Sequence, residues 1–125
     1  MEQGEAGLRQ LYSNYRQDAG RRGRAMRFLL TLDEFKRLTS SPCHYCGAPP
    51  TKSIALGHRR LKPETKEYGR YFYNGVDRID TAADYEVGNV VPCCAPCNYA
   101  KHDMSVEEFR AWVERVHSFW ASKAA

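Results

Sequence analysis

Four cysteines stand in two C-x-x-C pairs, Cys43-His44-Tyr45-Cys46 and Cys94-Ala95-Pro96-Cys97, with 47 residues between them. Two intervening residues let both sulfurs of a pair reach one ion at about 2.3 Å while backbone amides turn toward the thiolates. Two such knuckles together make a tetrahedral thiolate site for Zn²⁺. One pair alone would also fit buried free thiols; two pairs favour the metal. Coordinating thiols lose their protons, so the site carries a net charge of about −2 that neighbouring Lys and Arg can offset. Zinc at such a site contributes on the order of 10 kcal/mol of folding free energy, comparable with the whole stability of a small domain, so a structural ion is expected. Cys93 is the fifth cysteine. It could replace Cys94 in a C-x-x-x-C pair, but Cys94 is preferred because its spacing mirrors the first knuckle.

Charge is the second chemical signal. The net value is only +4, yet residues 9 to 27 hold Arg9, Arg16, Arg21, Arg22, Arg24 and Arg27 against Asp18 alone. A second basic stretch, from Lys52 to Arg70, includes Arg59, Arg60, Lys62 and Lys66 against Glu64 and Glu67. Each run reads either as a solvated face or as a footprint for a phosphate backbone, whose affinity falls steeply with salt.

The elements that must position these groups fit in one small domain of 125 residues, 42% hydrophobic. Leu8, Leu11, Tyr12, Tyr15 and Ala19 recur at helical spacing, predicting a helix over 5–19 and an Arg-rich linker from Gly20 to Gly23. Thr31 with Glu34, and Ser105 with Glu108, have capping-box spacing, predicting helices over 32–39 and 105–121. Val106, Phe109, Val113, Val116 and Trp120 mark one face of the last helix; His117, Trp112 and Trp120 read as packing or surface residues. Asn74-Gly75 between Tyr71-Phe72-Tyr73 and Val76 to Ile79 is a hairpin signal. Val90-Val91 is a further strand, joined across an exposed loop from Asp80 to Asn89, and 95–101 a short helix. The class is α+β. The acidic, polar start and the lack of a long apolar run lead to the expectation of a cytoplasmic chain without membrane contact or disulfides.

The centre reads strand, loop, strand, helix, and the run "YNGVDRID" followed by "GNVVPCC", "CN..K" and "MS.EEF" resembles the HNH endonucleases. It looks like a phage-encoded subgroup of that family, and a restriction enzyme of the family is also similar. The resemblance covers at least Cys43 to Phe109. It implies a ββα-metal core in which Asp77 and Asn98 hold one Mg²⁺ or Mn²⁺ and Asn89 fixes the loop by hydrogen bonds. Oxygen ligands with retained waters suit such an ion, which can bridge a scissile phosphate.

At position 78 the chain departs from the commonest form of the family, which has a His there as general base. Arg78 cannot accept a proton near neutral pH, but its planar fork suits phosphate oxygens, so it is assigned to the scissile phosphate. The candidates for the base are Tyr45, His44 and His58, in that order, with solvent as another source; each is also an ordinary packing or surface residue. Lys101, one turn after Asn98, is a candidate phosphate contact or a solvated side chain. Asp80 could hold Arg78, add an outer-sphere metal contact or cap the loop.

The resulting expectation is a helical arm with its linker at 1–40, a zinc-stapled HNH core at 41–104 and a covering helix at 105–125. The activity implied is metal-dependent hydrolysis of DNA phosphodiesters, with Arg21, Arg22, Arg24, Arg59, Arg60 and Lys101 gripping DNA. The rival is a catalytically inactive zinc-stapled DNA-binding module, and a zinc-ribbon protein-interaction module is a third possibility. A homodimer is one candidate partner arrangement, since double-strand cleavage requires a dimer or two encounters. A link to phage packaging or mobile-element machinery rests on analogy.

Overall fold

In the computed structural model of the chain, residues 1–21, 26–57 and 60–124 are described. The apolar spacing of the first segment yields α1 (Glu5–Arg21), and the Thr31/Glu34 capping box opens α2 (Leu32–Thr39), both bonds of the box being formed. There follow β1 (Lys52–Ile54), α3 (Pro63–Gly69), β2 (Tyr71–Tyr73), β3 (Gly75–Arg78), β4 (Val90–Cys93), α4 (Ala95–Lys101) and α5 (Val106–Ala124). The strands form two antiparallel ribbons, β1 with β2 and β3 with β4. In the second ribbon Asp77 lies opposite Val91 and Arg78 opposite Val90.

The hairpin predicted at Asn74-Gly75 does not form, because β2 and β3 each pair with a different strand. A turn of that kind needs positive φ at both central residues, and neither Asn74 nor Gly75 has it. Asn74 is instead a buried joint: its Nδ2 donates to the carbonyls of Ser41 (2.9 Å) and Ala48 (3.1 Å), and its N–H to that of Thr39 (2.8 Å). The chain therefore runs straight from one ribbon into the other. Neither β1 nor α3 was foreseen; both lie in the stretch that the sequence marks only as basic.

Leu8, Leu11, Leu30, Phe35, Tyr71, Tyr73 and Val90 form the apolar core, with Tyr12 and Tyr15 edge-on to Phe35, Phe28 tilted against it, and Tyr85 packed on Tyr15 and Phe28. Leu8 and Leu11 of α1, with Leu30 and Phe35, thus contribute directly to the core. Gly7 allows the approach of α1: a Cβ there would lie 2.6 Å from the Ile54 carbonyl and 2.9 Å from Tyr71 Cβ. The last helix does less covering than its pattern predicts. Of its side chains only Phe109 is buried, against the edge of Tyr45, while Trp112, Val113, Val116, Phe119 and Trp120 remain exposed. No helix among the described residues is long and apolar enough to cross a membrane.

Candidate active site and metal centre

The first knuckle turns at Gly47, which has φ +78, and is held by the Cys43 N–H on Ala48 O (2.8 Å) and the His44 N–H on Pro92 O (2.8 Å). The second begins where β4 ends, with Cys94 as N-cap of α4 and its sulfur accepting from the Cys97 N–H at 3.5 Å. The Tyr45 N–H likewise points at Cys43 Sγ, at 3.4 Å. These turns bring the sulfurs of Cys43, Cys46, Cys94 and Cys97 within 4.8 Å of one another, with Cys46 and Cys94 at 3.6 Å. A tetrahedral ion with bonds of about 2.3 Å holds its sulfurs about 3.8 Å apart, so the donor set fits a metal ion. Cys93 is not a member; it is buried, with its sulfur 3.5 Å from the Cys94 carbonyl. Burial tends to raise the Cys43 thiol, but N–H groups of Cys94, Cys46 and Tyr45 outweigh it and hold the group down at about 6. Burial and then the adjacent thiols of Cys94 and Cys46 push Cys97 up.

Beside this cluster, β3, α1 and α4 enclose a cleft of about 430 Å³ lined by Asp77, Arg78, Asn98 and Tyr99, with Asn14 and Asp18 contributed by α1. Two oxygen-donor side chains, Asp77 and Asn98, therefore face one cavity, a set that suits a hard divalent cation. Asp77 is not open, however. Its Oδ2 accepts the Tyr45 O–H at 2.6 Å and lies 3.3 Å from Lys101 Nζ.

Lys101 departs from both of its expected roles: it is 1% exposed, so it is neither solvated nor on a surface that a DNA backbone reaches. Tyr45 is a hydrogen-bond donor to Asp77, and burial followed by that bond raises its pKa far above the ordinary tyrosine value. A phenol so held is poorly suited to take a proton. Arg78 is 9% exposed; its Nη1 donates to the carbonyls of Thr81 (2.7 Å) and Ala83 (3.0 Å) and contacts Met26 Sδ, and the guanidinium lies over Tyr85.

The Asn89 side chain joins the ends of the loop between β3 and β4: Oδ1 accepts from the Asp80 N–H (2.9 Å), and Nδ2 donates to the carbonyls of Asp80 (3.1 Å) and Asp84 (2.9 Å). Asp80 caps that loop through the Ala82 N–H at 3.0 Å. His44 is exposed, with its ring edge-on to Tyr45. His58, Arg59, Arg22 and Arg24 lie outside the described residues, while Arg21 and Arg60 are exposed. Lys52, from the second basic stretch, reaches the cleft. The sequence reading missed Asn14 and Asp18; the one available hint was Asp18 as the lone acid in an Arg-rich run.

No family model matches the sequence. A curated relative, "Uncharacterized protein R423" of Acanthamoeba polyphaga mimivirus, is 31% identical over 98 residues, 78% of this chain. The chain spans 14% of that relative's length. Among solved structures, the rare-cutting HNH restriction endonuclease PacI is similar, with a TM-score of 0.56 and 21% identity over 94% of this chain and 81% of PacI. The chain therefore has an HNH-like α+β fold, with four cysteines gathered where a metal ion fits.

Proposed function

We propose that this chain is a metal-dependent endonuclease of the HNH type that hydrolyses DNA phosphodiester bonds. The observation that carries the reading is the meeting of Asp77 and Asn98 in one cleft beside a four-sulfur cluster, within a fold like that of an HNH nuclease. Zn²⁺ on Cys43, Cys46, Cys94 and Cys97 is structural in this scheme. Asp77 and Asn98 would hold Mg²⁺ or Mn²⁺, which would supply charge stabilisation at the scissile phosphate.

The chain's own groups do the rest. Arg78 lines the cleft and is fixed by the Thr81 and Ala83 carbonyls, so its charge costs no reorganisation as negative charge develops on the phosphate. Asn89 keeps the β3–β4 loop closed behind it. Tyr45 orients Asp77, and the proton of the attacking water passes to His44, His58 or solvent. Exposed Arg9, Arg16 and Arg21 on α1, with Lys52 at the cleft, grip phosphates on either side. One site cuts one strand, so double-strand cleavage requires two copies or two encounters. The viral relative supports a viral origin for the chain.

The Asp77–Lys101 ion pair favours a second reading, an inactive DNA-binding module whose carboxylate is already neutralised. Supercoiled plasmid separates the two. Wild type should nick it with Mg²⁺ or Mn²⁺ and not with chelator, and Asp77→Ala should lose the activity. Nicking that survives Asp77→Ala refutes the metal assignment, and gel-shift binding without nicking under any divalent ion establishes the inactive module.

A further inference from the structure

Lys101 is among the most deeply buried side chains of the molecule, and it is a cation. Its Nζ lies 3.3 Å from Asp77 Oδ2 and 6.0 Å from the centre of the Tyr45 ring, whose O–H reaches the same oxygen at 2.6 Å. It closes the helix that Cys94 caps, so the sulfur cluster that fixes the start of α4 also fixes the lysine at its end. A buried charge is stable only when paired, and here the partner is the carboxylate that lines the cleft.

This pairing has an electrostatic consequence. Asp77 and Lys101 together carry no net charge, so a divalent cation approaching Asp77 meets a fixed positive charge beside its ligand. Asn98 is neutral and does not offset it. A phosphodiester entering the cleft brings the missing negative charge.

We propose that Lys101 is a positioning residue that couples cation binding to DNA binding: by neutralising Asp77 it keeps the cation site weak until a backbone phosphate occupies the cleft. The inference rests on the nuclease reading above and adds the order of occupancy. Linkage requires that the cation strengthen DNA binding by the same factor that DNA strengthens cation binding. The free protein thereby avoids holding a reactive centre without its substrate.

Manganese titrations followed by electron paramagnetic resonance test this, with and without a saturating duplex oligonucleotide. Asp77→Ala serves to subtract manganese held by DNA or by other sites. In wild type the Asp77-dependent affinity should rise by about tenfold or more when DNA is present. Lys101→Met should bind Mn²⁺ about tenfold more tightly than wild type without DNA, and the gain from DNA should shrink accordingly. Equal wild-type affinities with and without DNA overturn the coupling and leave the nuclease reading to the plasmid assay. Absence of Asp77-dependent manganese in both conditions overturns the coupling and the metal assignment together. The wild-type comparison stands even where the Lys101→Met chain fails to fold; in folded Lys101→Met, an unchanged manganese affinity also overturns the proposal.

Discussion

The core around Phe35 and the helix that carries Asn98 are anchored by different forces. Six apolar and aromatic side chains from α1, β2, β4 and the segment before α2 pack with Phe35 of α2, itself 0% exposed. In α4 the only buried side chain is a lysine, and its start is set by Cys94. One region is held by area removed from water; the other has an ion pair and four sulfurs placed where a metal ion fits. The cleft draws from both, with Asp77 on a ribbon that packs toward the core and Asn98 and Lys101 on the sulfur-held helix. A change at either end should therefore disturb the site while leaving different parts of the chain intact.

Removing the metal is the largest way to sharpen that contrast. Chelation, or Cys46→Ser, should remove on the order of 10 kcal/mol of metal-linked stability. Hydrogen exchange should then show α4 and both knuckles losing protection while α1 and α2 keep theirs. Simultaneous loss everywhere would mean that the two regions fold as one unit. Phe35→Ala is the reciprocal perturbation. It opens a cavity at the centre of the core and should cost about 3–5 kcal/mol in denaturant unfolding, with metal content still at one ion per chain.

Tyr15 ties the regions together, and its effect is smaller. Its ring meets Phe35 edge-on at 5.4 Å, and its hydroxyl accepts the Val76 N–H at 3.1 Å, one residue before Asp77. Burial pushes its pKa up to about 12. Because burial disfavours the phenolate and raises the folded value, this group leaves stability untouched below pH of about 10 and lowers it as pH climbs through about 12, by on the order of 3 kcal/mol in all. Stability curves of wild type and Tyr15→Phe should converge across that window; parallel curves would mean that Tyr15 ionises as easily in the fold as outside it.

The same contrast decides what was legible in the sequence. Cysteine spacing and capping boxes are local rules, so the four sulfurs, α2 and the start of α5 could be read directly from Cys43 to Cys97, Thr31/Glu34 and Ser105/Glu108. The β3–β4 ribbon, its exposed loop and α4 followed from pattern and resemblance together. Asn74-Gly75 misled because a two-residue motif does not reveal that Thr39, Ser41 and Ala48 present backbone groups to Asn74 from elsewhere. Lys101 misled for a related reason: a lysine one turn after a polar residue looks solvent-facing until a carboxylate from another element is known to lie opposite. The apolar face of α5 was read as a cover, yet beyond Phe109 it stays exposed.

The smallest effect lies at the surface link between the segment before α2 and the β3–β4 loop. Asp84 accepts the Arg27 N–H at 2.9 Å and its guanidinium at 3.1 Å, and the two backbones are joined by Leu29 N–H on Tyr85 O and Tyr85 N–H on Arg27 O. The Arg27 amide first, then its guanidinium and the charge of Arg78, hold the Asp84 carboxyl below its ordinary value. With the folded value depressed, the contribution is complete above pH of about 4 and fades as acid titrates the group at its lower folded value. Exposed pairs are weak and screened by salt, so Asp84→Asn should change neutral-pH stability only slightly while flattening part of the acid limb of the stability curve. Added salt should shrink the difference between the two proteins. A difference confined to neutral pH, or one that grows with salt, would show that Asp84 acts through loop geometry and not through its charge, and the link would then belong with the hydrogen-bonded loop around Asn89.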